Sequence, residues 1–229
     1  MTAEDYRNGQ LILIDKPLEW TSFQVVNKVR WLIRQKFDIK KLKVGHAGTL
    51  DPLASGLLIL CTGKFTKKID TYQAREKEYT GTITLGATTP SYDLETEIDK
   101  RFDLSGISEE EIYRATEQFT GEIQQRPPIF SALKKDGKRM YDYAREGKTV
   151  EIPTRTVVIS EFDITRIELP ELDFRVVCSK GTYIRSLAHD FGYALKNGGH
   201  LSALRRTRIG EFKVEDARSI DSLIDEFSS

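Results

Sequence analysis

Residues 45–56 read Gly-His-Ala-Gly-Thr-Leu-Asp-Pro-Leu-Ala-Ser-Gly, and the fold prediction starts from this stretch. Its three glycines and one proline exclude a helix, because these residues favour tight or left-handed turns. The stretch lies between two apolar segments, which predicts a loop held on a rigid base. Such a loop can present His46 and Asp51 to a substrate. The alternative is a structural turn in which Asp51 caps the next short element before Pro52.

Strand and helix patterns flank this loop. Leu11–Ile14 predicts a short buried strand ended by residues 15–17, and Thr21-Ser22 predicts the start of a helix. The side chains expected on the buried face of that helix are Phe23, Val26, Val29 (or Arg30) and Ile33. After the loop, the patterns predict a strand over 57–62, a helix over 65–74 and an alternating strand over 77–85.

The second half of the chain mixes strands and helices without a regular alternation. Ser108 and Glu111 form a capping-box pattern for a helix that ends at Phe119. The other elements predicted here are paired strands over 157–169 and 172–178, a helix over 182–196 and a last helix over about 219–227. The predicted fold class is therefore α+β.

Composition excludes several classes of protein. The chain has 229 residues and 26.2 kDa, with 39% hydrophobic and 31% charged residues, which is typical of a globular protein. It has no apolar run of the roughly 20 residues that a membrane span needs, and its start lacks the apolar core of a signal peptide. Its two cysteines, Cys61 and Cys178, lie in apolar runs, which favours a reducing cytoplasmic location.

The formal net charge is zero, but the charges are segregated. Residues 90–122 carry ten acids and three bases, whereas residues 126–155 carry eight bases and four acids. In the second segment, bases and tyrosines alternate on a predicted hairpin and short helix, and such surfaces suit nucleic acid. A solvated amphipathic helix is the alternative.

A second cluster covers residues 178–185, Cys-Ser-Lys-Gly-Thr-Tyr-Ile-Arg. It runs from a strand through a glycine turn into a helix, so Tyr183 and Arg185 fall in the first helical turn. A cation at a helix N-terminus is disfavoured unless an anion compensates it. Arg185 is therefore expected either to have a carboxylate or phosphate partner or to be an ordinary surface arginine.

Motifs of other enzyme classes are missing from the sequence. Gly63-Lys64 is followed by Phe65 and has no glycine five positions earlier, so it is not a phosphate-binding P-loop. His46, His189 and His200 share no metal-ligand spacing. The sequence thus predicts no metal site.

Several ordered motifs together resemble the TruB-type tRNA pseudouridine-55 synthases. They cover about residues 10–212 and include Asp15-Lys16-Pro17, residues 45–58, Lys77-Glu78-Tyr79, Ser131-Ala132-Leu133-Lys134, residues 180–185 and Leu204-Arg205-Arg206. The resemblance implies a pseudouridine-synthase-like domain with a mixed, largely antiparallel sheet flanked by helices. It also implies cleavage of the uracil N-glycosidic bond, rotation of the base and rejoining through C5, with no cofactor or metal.

The resemblance assigns Asp51 as the catalytic carboxylate. The resemblance implies that Asp51 either attacks ribose C1′ as a nucleophile or removes the 2′ proton as a base, and a carboxylate suits both roles. Arg185 matches the arginine that pairs with this aspartate, which supplies the anion that its position requires.

The remaining site residues also follow from the resemblance. Tyr79 matches a tyrosine that stacks on the target uracil, and Tyr183 and Leu204 match residues that line the base pocket. Lys16 matches a basic residue near the floor of the site, and His46 matches the residue that fills the gap left by the flipped nucleotide. Residues 124–152 match an RNA-gripping insertion, whose candidate RNA-binding residues are Lys134, Lys135, Lys138 and Arg139.

The expected whole is a single catalytic domain over residues 1–229 without the PUA domain that family members usually carry. The loop Gly86-Ala87-Thr88-Thr89-Pro90-Ser91-Tyr92-Asp93 also lacks the glycine that usually follows it. The expected partner is the T stem-loop of tRNA, bound by a monomer without a guide RNA. The guide-RNA-dependent relatives and a non-catalytic RNA chaperone are the competing interpretations, and chaperone activity can also accompany catalysis.

Overall fold

The computed structural model describes residues 1–131, 133–135, 137–146, 150 and 152–228. Its helices are α1 (Ala3–Asn8), α2 (Ser22–Lys36), α3 (Ile69–Gln73), α4 (Glu109–Glu117), α5 (Met140–Arg145), α6 (Ile184–Ala194) and α7 (Ile220–Ser228). Short 3₁₀ helices cover Gly63–Lys68 and Val214–Asp216.

The strands fall into long sheet strands and short hairpin strands. They are β1 (Leu11–Lys16), β2 (Val44–His46), β3 (Ala54–Thr62), β4 (Lys77–Leu85), β5 (Ala87–Thr88), β6 (Lys100–Arg101), β7 (Gly121–Gln125), β8 (Lys134–Lys135), β9 (Lys138–Arg139), β10 (Arg155–Glu168), β11 (Glu171–Cys178), β12 (Gly199–Ile209) and β13 (Phe212–Lys213).

The chain forms two compact units. The first contains Met1–Tyr79 and Leu204–Ser229, and the second contains Thr80–Ala203. The boundaries fall inside β4 and β12, so each of these strands contributes residues to both units.

The first unit is built around β3. β1 runs antiparallel to β3, with Leu11 opposite Cys61 and Lys16 opposite Gly56, and β2 pairs antiparallel with the other end of β3. On the other side, Leu204–Arg206 of β12 run parallel to residues 54–56. This arrangement explains why β3 is apolar almost throughout, since both of its faces are buried.

Two apolar clusters cover the two faces of β3. Leu58 and Leu60 pack into the cluster that contains α2 and α7. Leu57, Ile59 and Cys61 pack into the cluster with Ile209 and Val214. Strand alternation therefore divides one apolar run between two cores.

The second unit contains a sheet together with helices α4, α5 and α6. Its strand order runs from β12 through β4, β11 and β10 to β7. The β10–β11 hairpin turns at Leu169-Pro170 and pairs Glu168 with Glu171. Short hairpins pair β5 with β6 and β8 with β9. Because β3 and β12 are parallel and most other pairs are antiparallel, the α+β prediction with a mixed, largely antiparallel sheet is confirmed.

The burial of Phe23 was predicted wrongly. Phe23 is 65% exposed, and the buried residues of α2 are Ser22, Val25, Val26, Val29, Leu32 and Ile33. The helical period places Phe23 about 160° or more from Val25 and Leu32, because each residue advances the helix by about 100°.

Within the described part of the chain, no helix is both long enough and apolar enough to cross a bilayer.

Candidate active site

The loop between β2 and β3 is fixed by its own backbone and by α2. The Ala47 amide donates to the Ile59 carbonyl at 2.9 Å, and the Ala54 amide donates to the Asp51 carbonyl at 3.1 Å. The buried hydroxyl of Ser22 accepts from the Leu50 amide at 2.9 Å and donates to the Leu50 carbonyl at 3.0 Å. The residue directly before Asp51 is thus held on both of its backbone groups.

Position 56, the last residue of the stretch 45–56, requires glycine. Its φ is +102°, a conformation that other residues rarely adopt. A Cβ atom at this position would lie 2.3 Å from the Arg206 carbonyl oxygen. β12 therefore approaches β3 so closely that only glycine fits.

Lys16 lies beneath the loop at the end of β1 and is fully buried. Its Nζ donates to the carbonyls of Trp20 at 2.5 Å, Pro17 at 2.8 Å and Pro52 at 3.4 Å. Burial lowers the pKa of Lys16 to about 8, and the Arg206 charge also lowers it, whereas the Asp51 carboxylate raises it. Lys16 thus clamps the turn after Asp51 and places a positive charge near that carboxylate.

Arg206 is a site residue that the sequence analysis quoted only as part of a motif. Its side chain is 1% exposed, and it donates from Nε to the Leu57 carbonyl at 2.8 Å and from Nη2 to the Gly48 carbonyl at 3.1 Å. Both acceptors belong to the loop or to the start of β3. The sequence feature that could have identified Arg206 is its place in segment 196–208, which has bases and no acid. In the structure, Arg206 is buried on β12.

The neighbouring Arg205 has a different partner. It forms two hydrogen bonds with the Asp15 carboxylate, at 2.7 and 3.0 Å. This pair links β12 to β1 across β3.

His46 is the last residue of β2, Asp51 lies within the loop that follows, and both are half-buried. Burial lowers the pKa of His46, the Arg206 charge lowers it further, and a contact with the Gly48 backbone has the opposite effect. His46 is therefore neutral near pH 7. Its buried Nδ1 has no hydrogen-bond partner among the described residues.

Tyr79 and Leu204 complete the predicted residues of the first unit. Tyr79 is a buried residue of β4, and Leu204 lies opposite Ala54 on the strand next to β3. The Thr207 hydroxyl donates to Glu78 at 2.8 Å, which ties β12 to the start of β4. The first unit thus brings together Lys16, His46 and Asp51, with Tyr79 and Leu204 on neighbouring strands.

Arg185 belongs to the second unit, where it is buried in the first turn of α6. Its Nε lies 3.6 Å from the carboxylate of the buried Asp93, and its Nη1 donates to the Ser91 carbonyl at 3.3 Å. A buried arginine beside a buried carboxylate matches the expectation of an anionic partner, although sequence analysis did not identify Asp93. The pairing of Arg185 with Asp51 that the resemblance implies stays a prediction.

Tyr183 occupies the N-cap position of α6 and is held through its backbone. Its amide donates to the Gln125 side-chain oxygen at 2.8 Å, and its carbonyl accepts from the Gln125 amide nitrogen at 3.0 Å. The Arg155 guanidinium lies 4.5 Å from the centre of its ring. This stacking and the hydrogen bonds fix both the ring and the entry into α6.

The basic candidates for RNA binding lie on the β8–β9 hairpin. Lys134 is opposite Arg139, and Lys135 is opposite Lys138. The helix α5 follows directly, as the sequence predicted. Ala132 and Asp136 of this segment lie outside the described residues.

Among the residues that the structure describes, no group of three or more His, Cys, Asp and Glu side chains is placed to hold a metal ion.

Comparison with known families gives two matches that together cover residues 34–228. The model of the TruB family pseudouridylate synthase N-terminal domain matches residues 34–184. The model of the tRNA pseudouridylate synthase B C-terminal domain matches residues 185–228.

Individual proteins show the same likeness. The chain is 62% identical to tRNA pseudouridine synthase B of Flavobacterium johnsoniae over 221 residues, which are 96% of each protein. It is 53% identical to tRNA pseudouridine synthase B of Phocaeicola vulgatus, over 95% of this chain and 93% of that protein.

A solved structure of a Cbf5-Nop10-Gar1 complex also matches. The TM-score is 0.71 at 33% identity, over 96% of this chain and 54% of that one. The chain thus spans about half the length of the chain in that complex.

Proposed function

The chain belongs to the TruB family of pseudouridylate synthases, and from this premise we propose that it converts uridine 55 in the T arm of tRNA to pseudouridine, with Asp51 as the catalytic carboxylate. The observation that carries the proposal is the immobilised loop around Asp51. The bonds of Leu50 to Ser22 and the clamp of Lys16 on Pro52 hold the backbone on both sides of this carboxylate.

The charge around the loop suits a reactive carboxylate. The ammonium of Lys16 lies close enough to Asp51 for its pKa to respond to it, and Lys16 and Arg206 use backbone carbonyls as their hydrogen-bond acceptors. Carbonyl dipoles solvate these cations without cancelling their charge. The remaining positive potential stabilises the ionised Asp51 for nucleophilic or base chemistry.

The reaction is an isomerisation in which atoms balance within the nucleotide and water. The C1′–N1 bond breaks, the uracil turns, and a C1′–C5 bond forms. C5 then loses its proton, and N1 is protonated. Asp51 either forms a bond to C1′ that is later broken, or removes the 2′ proton to give a glycal and later returns it.

The nucleotide must leave the stacked T loop before this chemistry, because C1′ and C5 are inaccessible within the stack. We assign His46 to the gap that it leaves. Its neutral ring suits stacking among bases. Tyr79 stacks on the uracil, Tyr183 and Leu204 line the base pocket, and Arg185 orients Asp51.

The hairpin of β8 and β9 supplies further contacts. Its four strand residues are Lys134, Lys135, Lys138 and Arg139, all of them basic. We assign these side chains to phosphates of the T arm, since lysine and arginine supply most protein contacts to nucleic-acid phosphate.

The setting of the enzyme is part of the proposal. Cys61 and Cys178 are both buried, which suits the reducing cytoplasm. We propose that the chain acts as a monomer on tRNA without a guide RNA. Chaperone activity on the same tRNA is an additional role that the binding surface permits.

The decisive experiment measures tritium release from a tRNA transcript labelled at uracil C5. The wild type is expected to release about one equivalent per tRNA and none from a transcript with cytidine at position 55. Asp51→Asn should lower the rate by about 10³-fold or more while it still binds tRNA, because a general base or nucleophile contributes on that scale. Asp70→Asn, at an exposed position of α3, is the matched control and should behave as wild type.

Two outcomes contradict parts of the proposal. Full activity of Asp51→Asn removes its catalytic role. Tight binding of tRNA by the wild type with no release of tritium assigns the chain to RNA folding alone.

A further inference from the structure

The solvent face of α2 has an unusual composition. The helix carries Lys28, Arg30, Arg34 and Lys36 and no acidic residue. It also exposes two large aromatic side chains, Phe23 at 65% and Trp31 at 53%. The solvent face of a helix normally carries charged and polar side chains, so two exposed rings on one cationic helix mark this face as a candidate binding surface.

These side chains share one face. At about 100° per residue, Phe23, Asn27, Trp31 and Arg34 fall within an arc of about 80°, opposite the buried Val29. The Nζ of Lys28 lies 5.0 Å from the centre of the Trp31 ring. Phe23 and Trp31 are eight residues apart, which is about 12 Å along the helix axis.

The start of this face is attached to the catalytic loop. Ser22, the residue before Phe23, holds both backbone groups of Leu50, and Leu50 precedes Asp51. The Glu19 amide donates to the Pro52 carbonyl at 2.8 Å, so the turn into α2 also contacts the loop on the other side of Asp51. A polymer whose reacting unit lies at Asp51 therefore has the N-terminal end of α2 next to it.

We propose that this face, named here the α2 face (Phe23, Asn27, Lys28, Trp31 and Arg34), is a second RNA-binding surface that holds tRNA outside the uridine pocket. An unpaired nucleobase stacks on Trp31, and Lys28 and Arg34 contact phosphates on either side of it. The inference rests on the proposed function, because it requires an RNA substrate.

The cations and aromatic rings of the α2 face favour RNA over a second copy of the chain or an acidic protein. A second copy of the chain bound through the same face would oppose Lys28 and Arg34 to the same two cations, and α2 carries no acid to compensate them. An acidic protein would pair with the cations, but its carboxylates would not stack on the two exposed aromatic rings. Nucleic acid satisfies both, since phosphates take the cations and bases stack on aromatic rings.

The test compares affinities for a tRNA transcript between about 50 and 200 mM salt, where counterion release makes phosphate contacts visible. Trp31→Ala is expected to weaken binding about tenfold, which corresponds to about 1.4 kcal/mol of base stacking. Trp31→Phe should restore most of the loss, because a phenyl ring also stacks. The rate of tritium release at saturating tRNA should stay within about twofold of wild type for both variants.

The charge variant gives an independent readout. Lys28→Gln with Arg34→Gln should reduce the slope of log affinity against log salt by about 1.4 to 1.8, because each lost phosphate contact contributes about 0.7 to 0.9. Tyr113→Ala and Arg114→Gln on the acidic helix α4 are the matched controls and should leave affinity and slope unchanged.

Three results overturn the inference. The first is wild-type affinity and slope in both the Trp31→Ala and the double charge variant. The second is a fall in saturating rate without a loss of affinity, which marks a structural role. The third is a dimer seen by sedimentation without RNA that Trp31→Ala abolishes, which assigns the face to a second copy. Failure of the proposed function is distinguishable, because it requires that the wild type itself release no tritium from tRNA.

Discussion

The two compact units hold their buried cations in different ways. In the first unit, Lys16 and Arg206 donate to backbone carbonyls of the loop that carries Asp51 and of its neighbours. In the second unit, Arg185 lies beside the Asp93 carboxylate and also donates to the Ser91 carbonyl. One arrangement keeps a positive field around a loop, and the other balances a cation with an anion.

The difference fits the roles that we propose for the two regions. A loop that carries a reactive carboxylate needs a fixed backbone, and cations that bind carbonyls fix the backbone while they attract the carboxylate. An arginine that has to point in one direction needs a partner of opposite charge, because a paired guanidinium has fewer accessible orientations. The first unit thus provides a clamp and a field, and the second provides a positioned charge.

The largest expected effect tests the close backbone contact in the first unit. Gly56→Ala should lower the free energy of unfolding by more than about 4 kcal/mol, because the new Cβ meets the Arg206 carbonyl at 2.3 Å as well as adopting a positive φ. Gly106→Ala in the second unit is the matched control. It has a φ of +91° but no atom within 4 Å of the new Cβ, so it should cost only about 1 to 2 kcal/mol. Urea unfolding of both variants measures the difference, and equal costs would show that β12 does not constrain the loop.

The fold was predictable from the sequence where local rules determine the structure. β4 begins and ends at the predicted residues, Lys77 and Leu85. The capping box of Ser108 and Glu111 is confirmed, with the Ser108 hydroxyl accepting from the Glu111 amide at 3.2 Å. Side-chain alternation and caps depend on neighbours in sequence, so one chain is enough to identify them.

Features that depend on partners distant in the chain were not predictable from the sequence. β12 was not predicted, because its register is fixed by β3, about 150 residues earlier, and its buried positions do not alternate regularly. Asp93 was missed because nothing in residues 86–93 indicates that Arg185 lies beside it. Phe23 was placed in the core because it is apolar, although helical geometry turns it to solvent.

The second effect in size is the contribution of Lys16 to the pH dependence of stability. Its pKa falls from the ordinary 10.5 to about 8 in the folded chain, so the unfolded chain binds more protons between these values. Below pH 8, Lys16 is charged in both the folded and the unfolded chain, so burial of its ammonium lowers the free energy of unfolding by the full amount. As the pH rises from 8 to 10.5, Lys16 loses its proton in the folded chain first, and the free energy of unfolding rises. The free energy of unfolding of wild type minus that of Lys16→Met should rise by on the order of 3 kcal/mol across this window.

Activity should change in the opposite direction in the same window. Deprotonated Lys16 no longer attracts the Asp51 carboxylate, so the wild-type rate of tritium release should fall above pH 8 while this contribution to stability rises. Unfolding measured at several pH values in both proteins separates Lys16 from other groups, which cancel in the difference. If the difference in the free energy of unfolding between wild type and Lys16→Met stays constant from pH 8 to 10.5, the folded chain does not lower the pKa of Lys16 as described.

The smallest effect concerns the ion pair of the second unit. Asp93→Asn keeps the shape of the side chain but removes its charge, and it should cost about 2 kcal/mol of stability because a buried arginine loses charge compensation. If Arg185 orients Asp51, the rate of tritium release should fall as well, with tRNA affinity retained. A double-mutant cycle with Arg185→Gln isolates the pair, and we expect a coupling of about 1 to 2 kcal/mol. Full additivity would mean that Asp93 and Arg185 contribute separately, and the contrast between a carbonyl-bound and a carboxylate-paired cation would no longer distinguish the two units.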